Sequence, residues 1–470
     1  MEADLAEAEQ EQEQGKDAAA RLTYEIFSIL ESKFLFGCDV PELLPSGAGP
    51  TRASAAAGKV CVLSIDGGES PVDGLLAGAA LVRLEAALRR RAGSQAMRLA
   101  DFFDVAAGSG AGGVLAAMLF ARGPRGRPMY SAEDALGFLL CRVRCGWSAR
   151  AGGLVRRPAA AAFGKAFGEL TLRDTMRPVL VPCYDLATRA PFLFSRADAA
   201  ESPAYNFRLR DVCAATCTGV ASAAVEVLSV DGGTRIAAVG SGVVLGNPTA
   251  AAITHVLNNL REFPAAASID DLLVMSIGTG EADRKANVRG GRAKPPEVAR
   301  IAAEGVSDMV DQAVAMAFGH SRTTNYIRIQ GTWRRRAAGR ALRVACGGET
   351  KQQAVWKAEE MLLQKSVESV LFQGRKLAGE TNAEKLERFA CELANEHGRR
   401  KQQAAAPSPD RSSAATEAVL EQPTMARKAA MPSASAVAME LATEAPPRRR
   451  RRTRTNRAPA TSRPDNNLVS

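Results

Sequence analysis

FFDVAAGSGAGGVLAAMLFA, residues 102–121, is the stretch whose reading decides the fold. Phe102 to Ala107 is a short apolar run, Gly108 to Gly113 (GSGAGG) is a glycine turn, and Val114 to Ala121 continues as an apolar helix. Strand, tight turn and helix in that order make one unit of an α/β protein. The unit recurs upstream. Lys59 to Ile65 (KVCVLSI) reads as a buried strand that closes on Asp66-Gly67-Gly68, and Leu75 to Arg91 follows as a helix with a basic last turn that suits its dipole. Repetition of this unit predicts a mostly parallel sheet with right-handed crossovers between helical layers.

Further strands are expected at Val179–Tyr184, Pro191–Ser195, Val225–Ser229, Arg235–Val239 and Leu272–Ile277, so the sheet domain spans residues 59–280. Glu297–Gly319 and Gln352–Glu396 read as helical, with Asn325–Gln330 (NYIRIQ) a strand between them, which makes residues 281–400 a helical C-terminal part of the same domain. Ahead of the sheet, residues 1–58 comprise an acidic lead, an amphipathic helix at Arg21–Phe36 and a linker from Pro41 to Gly58. Residues 401–470 are rich in Ala, Pro, Ser, Thr and Arg and bury too little apolar surface to offset ordering entropy, so a disordered basic tail is expected.

The net charge of +10 is concentrated in that tail, where Arg448, Arg449, Arg450, Arg451 and Arg452 run together. Four readings of the run stand side by side: a nuclear address, a nucleic-acid arm, a patch for anionic lipid head groups, or a merely solvated tail. Nine cysteines without a short-spaced framework, and no charged-then-apolar leader, place the chain in a reducing cytoplasmic compartment. Cys141/Cys145 and Cys213/Cys217 are spaced like zinc ligand pairs, but with only three histidines in the chain they read better as helical core thiols. No metal, cofactor or nucleic acid is expected. Val105–Ala121 is uncharged yet short of a spanning helix.

The glycine turn at 108–113 has chemistry attached. A strand followed by Gly-x-Ser-x-Gly and a helix is a nucleophile elbow, in which a strained turn lifts a serine hydroxyl above the sheet. Here the pentad is Gly108-Ser109-Gly110-Ala111-Gly112, with glycine at the apex. Gly67, Gly68 and Ala111 offer backbone amides where the oxyanion of a tetrahedral intermediate would sit.

Taken together, VLSIDGG, AAGSGAGG and NPTAAAITHVL, with LTYEIFSILESKFLFG, GVSDMVDQAVAMAFG and NYIRIQ, resemble the patatin-like lipid acyl hydrolases over roughly Arg21–Gln330. The resemblance is greatest to the plant patatin-related group with glycine in place of the elbow serine. It implies a three-layer α/β/α fold and hydrolysis of phospholipid and galactolipid acyl esters by a Ser–Asp dyad. It also implies peripheral contact with membrane glycerolipids, to which Arg448–Arg452 would contribute. Trp147, Phe163 and Phe167, with the basic Arg142, Arg144, Arg150, Arg156 and Arg157, lie in a segment where such proteins place lipid-facing or lid elements, although a solvated face fits this cation-rich segment equally.

Against that pattern, the nucleophile position is Gly110. The aspartate position before Asn247-Pro248 is Gly240, and Glu69 stands beside the oxyanion loop, where its carboxylate would repel a developing oxyanion. One rescue is a nucleophile at Ser109 served by Asp231 as base. Its alternatives are a turn serine bonded to local backbone and, for Asp231-Gly232-Gly233, which lies 16 positions before Asn247, a hairpin turn. The expectation from family is a lipolytic acyl hydrolase of altered, weak activity. The rival is a catalytically dead lipid-binding or regulatory protein with the same fold.

Overall fold

Val60–Ile65 (β1) is apolar along its whole length apart from Ser64 because both faces are covered: Cys61, Leu63 and Ile65 enter one core, Val60 and Val62 the other. A strand buried on both sides belongs to a parallel sheet sandwiched between helices. The computed structural model describes residues 58–143, 146–147, 150–151, 155–156, 159–219, 222–242, 244–282, 295–333, 349–370 and 374–405. Its main sheet has eight strands, the others being Val105–Gly108 (β2), Val179–Asp185 (β3), Ala190–Ser195 (β4), Val225–Leu228 (β5), Arg235–Gly240 (β6), Leu272–Ile277 (β7) and Tyr326–Ile329 (β8).

The strand order is β8-β7-β1-β2-β3-β6-β5, with β4 paired to β3. From β8 to β3 the pairing is parallel, whereas β3–β4, β3–β6 and β5–β6 are antiparallel. Register brings four strand ends to one edge: Ile65 lies opposite Gly108 and Ile277, and Ile277 opposite Ile329. Both glycine turns leave the sheet at that edge, where open α/β sheets place their sites.

One helical layer contains Leu75–Ala92 (α1), Gly110–Phe120 (α2), Ala132–Arg142 (α3), Ala159–Phe167 (α4) and Leu209–Thr216 (α5). The other face is covered by Thr249–Asn258 (α6) and Pro295–Phe318 (α7) through Ile253, Val256, Val314 and Phe318. Glu349–Leu363 (α8) and Asn382–Ala405 (α9) pack on α1 and join the first core. The result is three layers, α/β/α. Phe103 and Phe120 are fully buried in it, and truncating either to Ala costs about 3–5 kcal/mol.

Three expectations need correcting or bounding. The strand expected from Phe102 starts only at Val105, because the Asp104 carboxylate accepts from Cys61 N (2.8 Å) and pairs with Arg400 (2.7 Å), holding the chain in a turn there. Gln352–Glu396 is not continuously helical. Lys365–Val370 (β9) and Gly374–Thr381 (β10) form an antiparallel hairpin between α8 and α9, and β9 supplies the branched Val367 and Val370 that favour a strand. Helix α9 also runs to Ala405, past the expected start of the tail at Lys401, while the rest of the tail and the Arg21–Phe36 segment lie outside the described residues. Among the described residues no helix is long and apolar enough to cross a membrane.

Candidate active site

The strand β2 delivers Ser109 and Gly110 to the start of α2, and the backbone there has the shape of an elbow. Ser109 is the N-cap in extended conformation and Gly110 has φ +51°, the left-handed region that a side chain makes costly. A Cβ on Gly110 would lie 2.3 Å from the carbonyl oxygen of Gly68, so the space a nucleophile would use is already filled by the Asp66-Gly67-Gly68 loop.

The same loop takes the Ala111 amide, which the sequence offered as an oxyanion donor. Ala111 N donates to Gly68 O at 3.1 Å, Gly110 N donates to Thr216 Oγ1 at 2.9 Å, and Gly113 N donates to Ser109 O at 3.1 Å. These amides at the positive end of α2 are therefore satisfied internally rather than aimed at a ligand. Beside them, Trp147 Nε1 donates to Glu69 O at 2.8 Å, clamping the far side of the loop, and Trp147, Phe163 and Phe167 are buried in the core rather than facing lipid or solvent as expected.

Ser109 is fully buried. Its hydroxyl reaches Gly67 O at 3.4 Å and lies 3.3 Å from Ser241 Oγ, which in turn donates to Pro182 O at 3.1 Å. A serine chain ending on a carbonyl provides no group to take a proton. At Gly240 the backbone N donates to Thr218 O at 2.7 Å, and a Cβ would lie 2.4 Å from that oxygen and 2.7 Å from Thr216 O. An aspartate does not fit there without moving the Thr216–Thr218 segment.

Asp231 sits in the turn between β5 and β6. Its Oδ1 accepts from Ser229 Oγ at 2.6 Å and Gly233 N at 3.0 Å, which holds its carboxyl below the usual carboxylate range. Strand β6 runs from that turn to Gly240, so roughly 20 Å of extended chain at about 3.3 Å per residue separates Asp231 from the elbow. The structure thus brings together Ser109, Gly110, Ala111, Gly67, Gly68 and Gly240, and leaves Asp231 at the opposite end of the strand.

Beneath the loop lies a buried polar network. Asp66 Oδ2 accepts from Arg328 Nη2 at 2.6 Å and from Ser307 Oγ at 3.4 Å, while Oδ1 is buried without a partner among the described residues. Arg328 also donates to Ser276 Oγ at 2.6 Å, and Tyr326 OH donates to Asp311 Oδ1 at 2.5 Å. Burial pushes Asp66 towards its protonated form and Arg328 opposes this; burial likewise disfavours the guanidinium, but Asp66 and Asp311 hold its proton more firmly than usual. The network ties β1, β7, β8 and α7 to the root of the Asp66-Gly67-Gly68 loop.

Sequence reasoning missed Ser241, Thr216 and Arg328. Arg328 carried a readable signal, since a lone charge inside the apolar run NYIRIQ implies a buried partner. Ser241 and Thr216 act through tertiary contact and carried none. Cys213 and Cys217 are free buried thiols whose ionisation burial disfavours, whereas Cys141 is exposed rather than in the core and Cys145 lies outside the described residues; among those residues no group of His, Cys, Asp and Glu is arranged to hold a metal.

Comparison with known proteins gives consistent relatives. The chain is 73% identical over 396 residues to a rice (Oryza sativa) protein called patatin-like protein 3, covering 82% of this chain and 93% of that one. It is 45% identical over 411 residues to Arabidopsis thaliana patatin-like protein 7, covering 81% and 82% of the two chains. A third relative, the Arabidopsis protein named probable inactive patatin-like protein 9, is 38% identical over 392 residues, covering 80% and 92%. No family model matches the chain.

Proposed function

Because the chain belongs to the patatin-like protein family, we propose that it binds phospholipid and galactolipid acyl chains on the fold of a lipid acyl hydrolase without a working Ser–Asp dyad. The observation that carries this reading is the Gly68 carbonyl. It fills the Cβ position of Gly110 and takes the amide of Ala111, so nucleophile space and oxyanion donor are closed by one group. The relative whose name includes "probable inactive" supports a non-hydrolytic role within the same family. Loss of the nucleophile in a serine hydrolase lowers kcat about a millionfold and leaves roughly a thousandfold from binding and the oxyanion site. Here the closed donor removes much of that remainder.

A second reading, weak lipolysis through Ser109, rests on the 3.3 Å approach of its hydroxyl to Ser241 at the elbow. Isothermal calorimetry with monomeric dihexanoyl-phosphatidylcholine, followed by mass spectrometry of the recovered lipid, separates the two. Binding with intact lipid supports the first reading. Complete deacylation by purified protein overturns it, and absence of binding overturns lipid recognition itself.

A further inference from the structure

Helix α7 has two apolar faces, and the core explains only one. Ser307, Asp311, Val314 and Phe318 face the sheet, through the Asp66–Arg328 network and the second core. At about 100° per residue, Val298, Ile301, Met309 and Met316 fall within an arc of about 80° on the opposite side. They are 55%, 54%, 56% and 51% exposed. Scattered exposed apolar residues need no explanation, but an aligned row of four on one helix does.

One end of the row lies at the site edge of the sheet. Ser307 stands level with Asp66 at the end of β1, and Phe318 stacks on Tyr326 at the start of β8, so α7 runs antiparallel to the parallel strands. Residues 295–306 therefore continue about 18 Å past the edge where the oxyanion loop emerges. Val298 and Ile301 sit on that projecting part, and Val244, in the loop before α6, is exposed at the same edge. Immediately ahead of α7 in the chain, residues 283–294 (DRKANVRGGRAK) carry five cations and one anion.

An apolar helix face following a cationic stretch has the chemistry of an interfacial helix on an anionic lipid surface, where apolar side chains enter the acyl boundary and cations meet the head groups. We infer that the outer face of α7, centred on Ile301 and Met309, docks the protein on anionic membrane surfaces. This rests on the reading that the chain recognises glycerolipid, and it names the surface that brings it to one.

The test is co-sedimentation of full-length protein with phosphatidylcholine vesicles with and without phosphatidylglycerol, for wild type, the Ile301→Glu/Met309→Glu double variant and Trp356→Glu. Trp356 is 63% exposed on α8, away from the row, and controls for loss of any exposed apolar group. The expected result is binding that needs phosphatidylglycerol, weakened at least about tenfold in the double variant and unchanged in Trp356→Glu. Equal binding by wild type and double variant overturns the inference. If such equality comes with a dimer that the double variant dissociates in the ultracentrifuge, the face belongs to a second copy; if it comes with a lowered Tm, the face is covered by the Arg21–Phe36 segment. Dihexanoyl-phosphatidylcholine, a monomer that needs no docking surface, keeps the two proposals apart. Wild type that binds this lipid, with vesicle binding indifferent to the double substitution, defeats the docking inference alone, whereas wild type that binds neither lipid form defeats both.

Discussion

Placing a serine at Gly110 should damage this protein rather than activate it. The new Cβ would lie 2.3 Å from Gly68 O, more than 1 Å short of the roughly 3.5 Å at which such atoms make ordinary contact. Relief requires the loop to retreat, which breaks the Ala111 N–Gly68 O hydrogen bond, worth about 1 kcal/mol net. Holding a non-glycine residue at φ +51° adds about 1–2 kcal/mol. Displacing packed backbone adds about 1–3 kcal/mol more, so the substitution should cost about 3–6 kcal/mol. Urea unfolding of Gly110→Ser, with Gly110→Ala as a control that carries the Cβ but no hydroxyl, reads this directly. Both variants should lose similar stability, and neither should release fatty acid, because no carboxylate lies at Gly240 to take the proton. A Gly110→Ser protein within about 0.5 kcal/mol of wild type would refute the closed-loop reasoning.

Other consequences follow from neighbouring groups. Arg328→Met leaves Asp66 buried and unpaired, so it should cost about 3–5 kcal/mol in urea unfolding and raise amide exchange in the Gly67–Gly68 loop first. Asp231→Asn should leave lipid binding and any lipolysis unchanged and act only on the β5–β6 turn, seen as faster exchange of the Gly233 amide. Burial holds His255 below its ordinary value of 6.5. The folded protein then binds fewer protons than the unfolded chain, so stability present above about 6.5 is lost as pH falls through the folded value. His255→Leu should flatten that decline in a Tm-against-pH series, and an unchanged slope would remove His255 from the account.

Much of this architecture was legible because it is local. The turns at Asp66-Gly67-Gly68 and Gly108–Gly113 and the apolar strands before them announce parallel β–α units, and the structure places both turns at one sheet edge. The hairpin at Lys365–Thr381 was not legible in the same way. Its strands carry lysine, glutamate and arginine among the apolar residues, and neighbouring helical periodicity overrode the weak alternation. At the site, Gly110 and Gly240 could be read letter by letter, as could the alternative of a turn at Asp231. What could not be read was closure of the site. That depends on where the Gly68 carbonyl rests against a helix more than forty residues away, and no local pattern encodes such a distance.

The central claim is that this elbow is closed and does not hydrolyse. The most direct measurement is free fatty acid released from phosphatidylcholine and monogalactosyl-diacylglycerol vesicles by purified wild type and Ser109→Ala at matched folding. The account predicts no release above background from either protein. Steady turnover by wild type that Ser109→Ala abolishes would contradict it and place the nucleophile at Ser109.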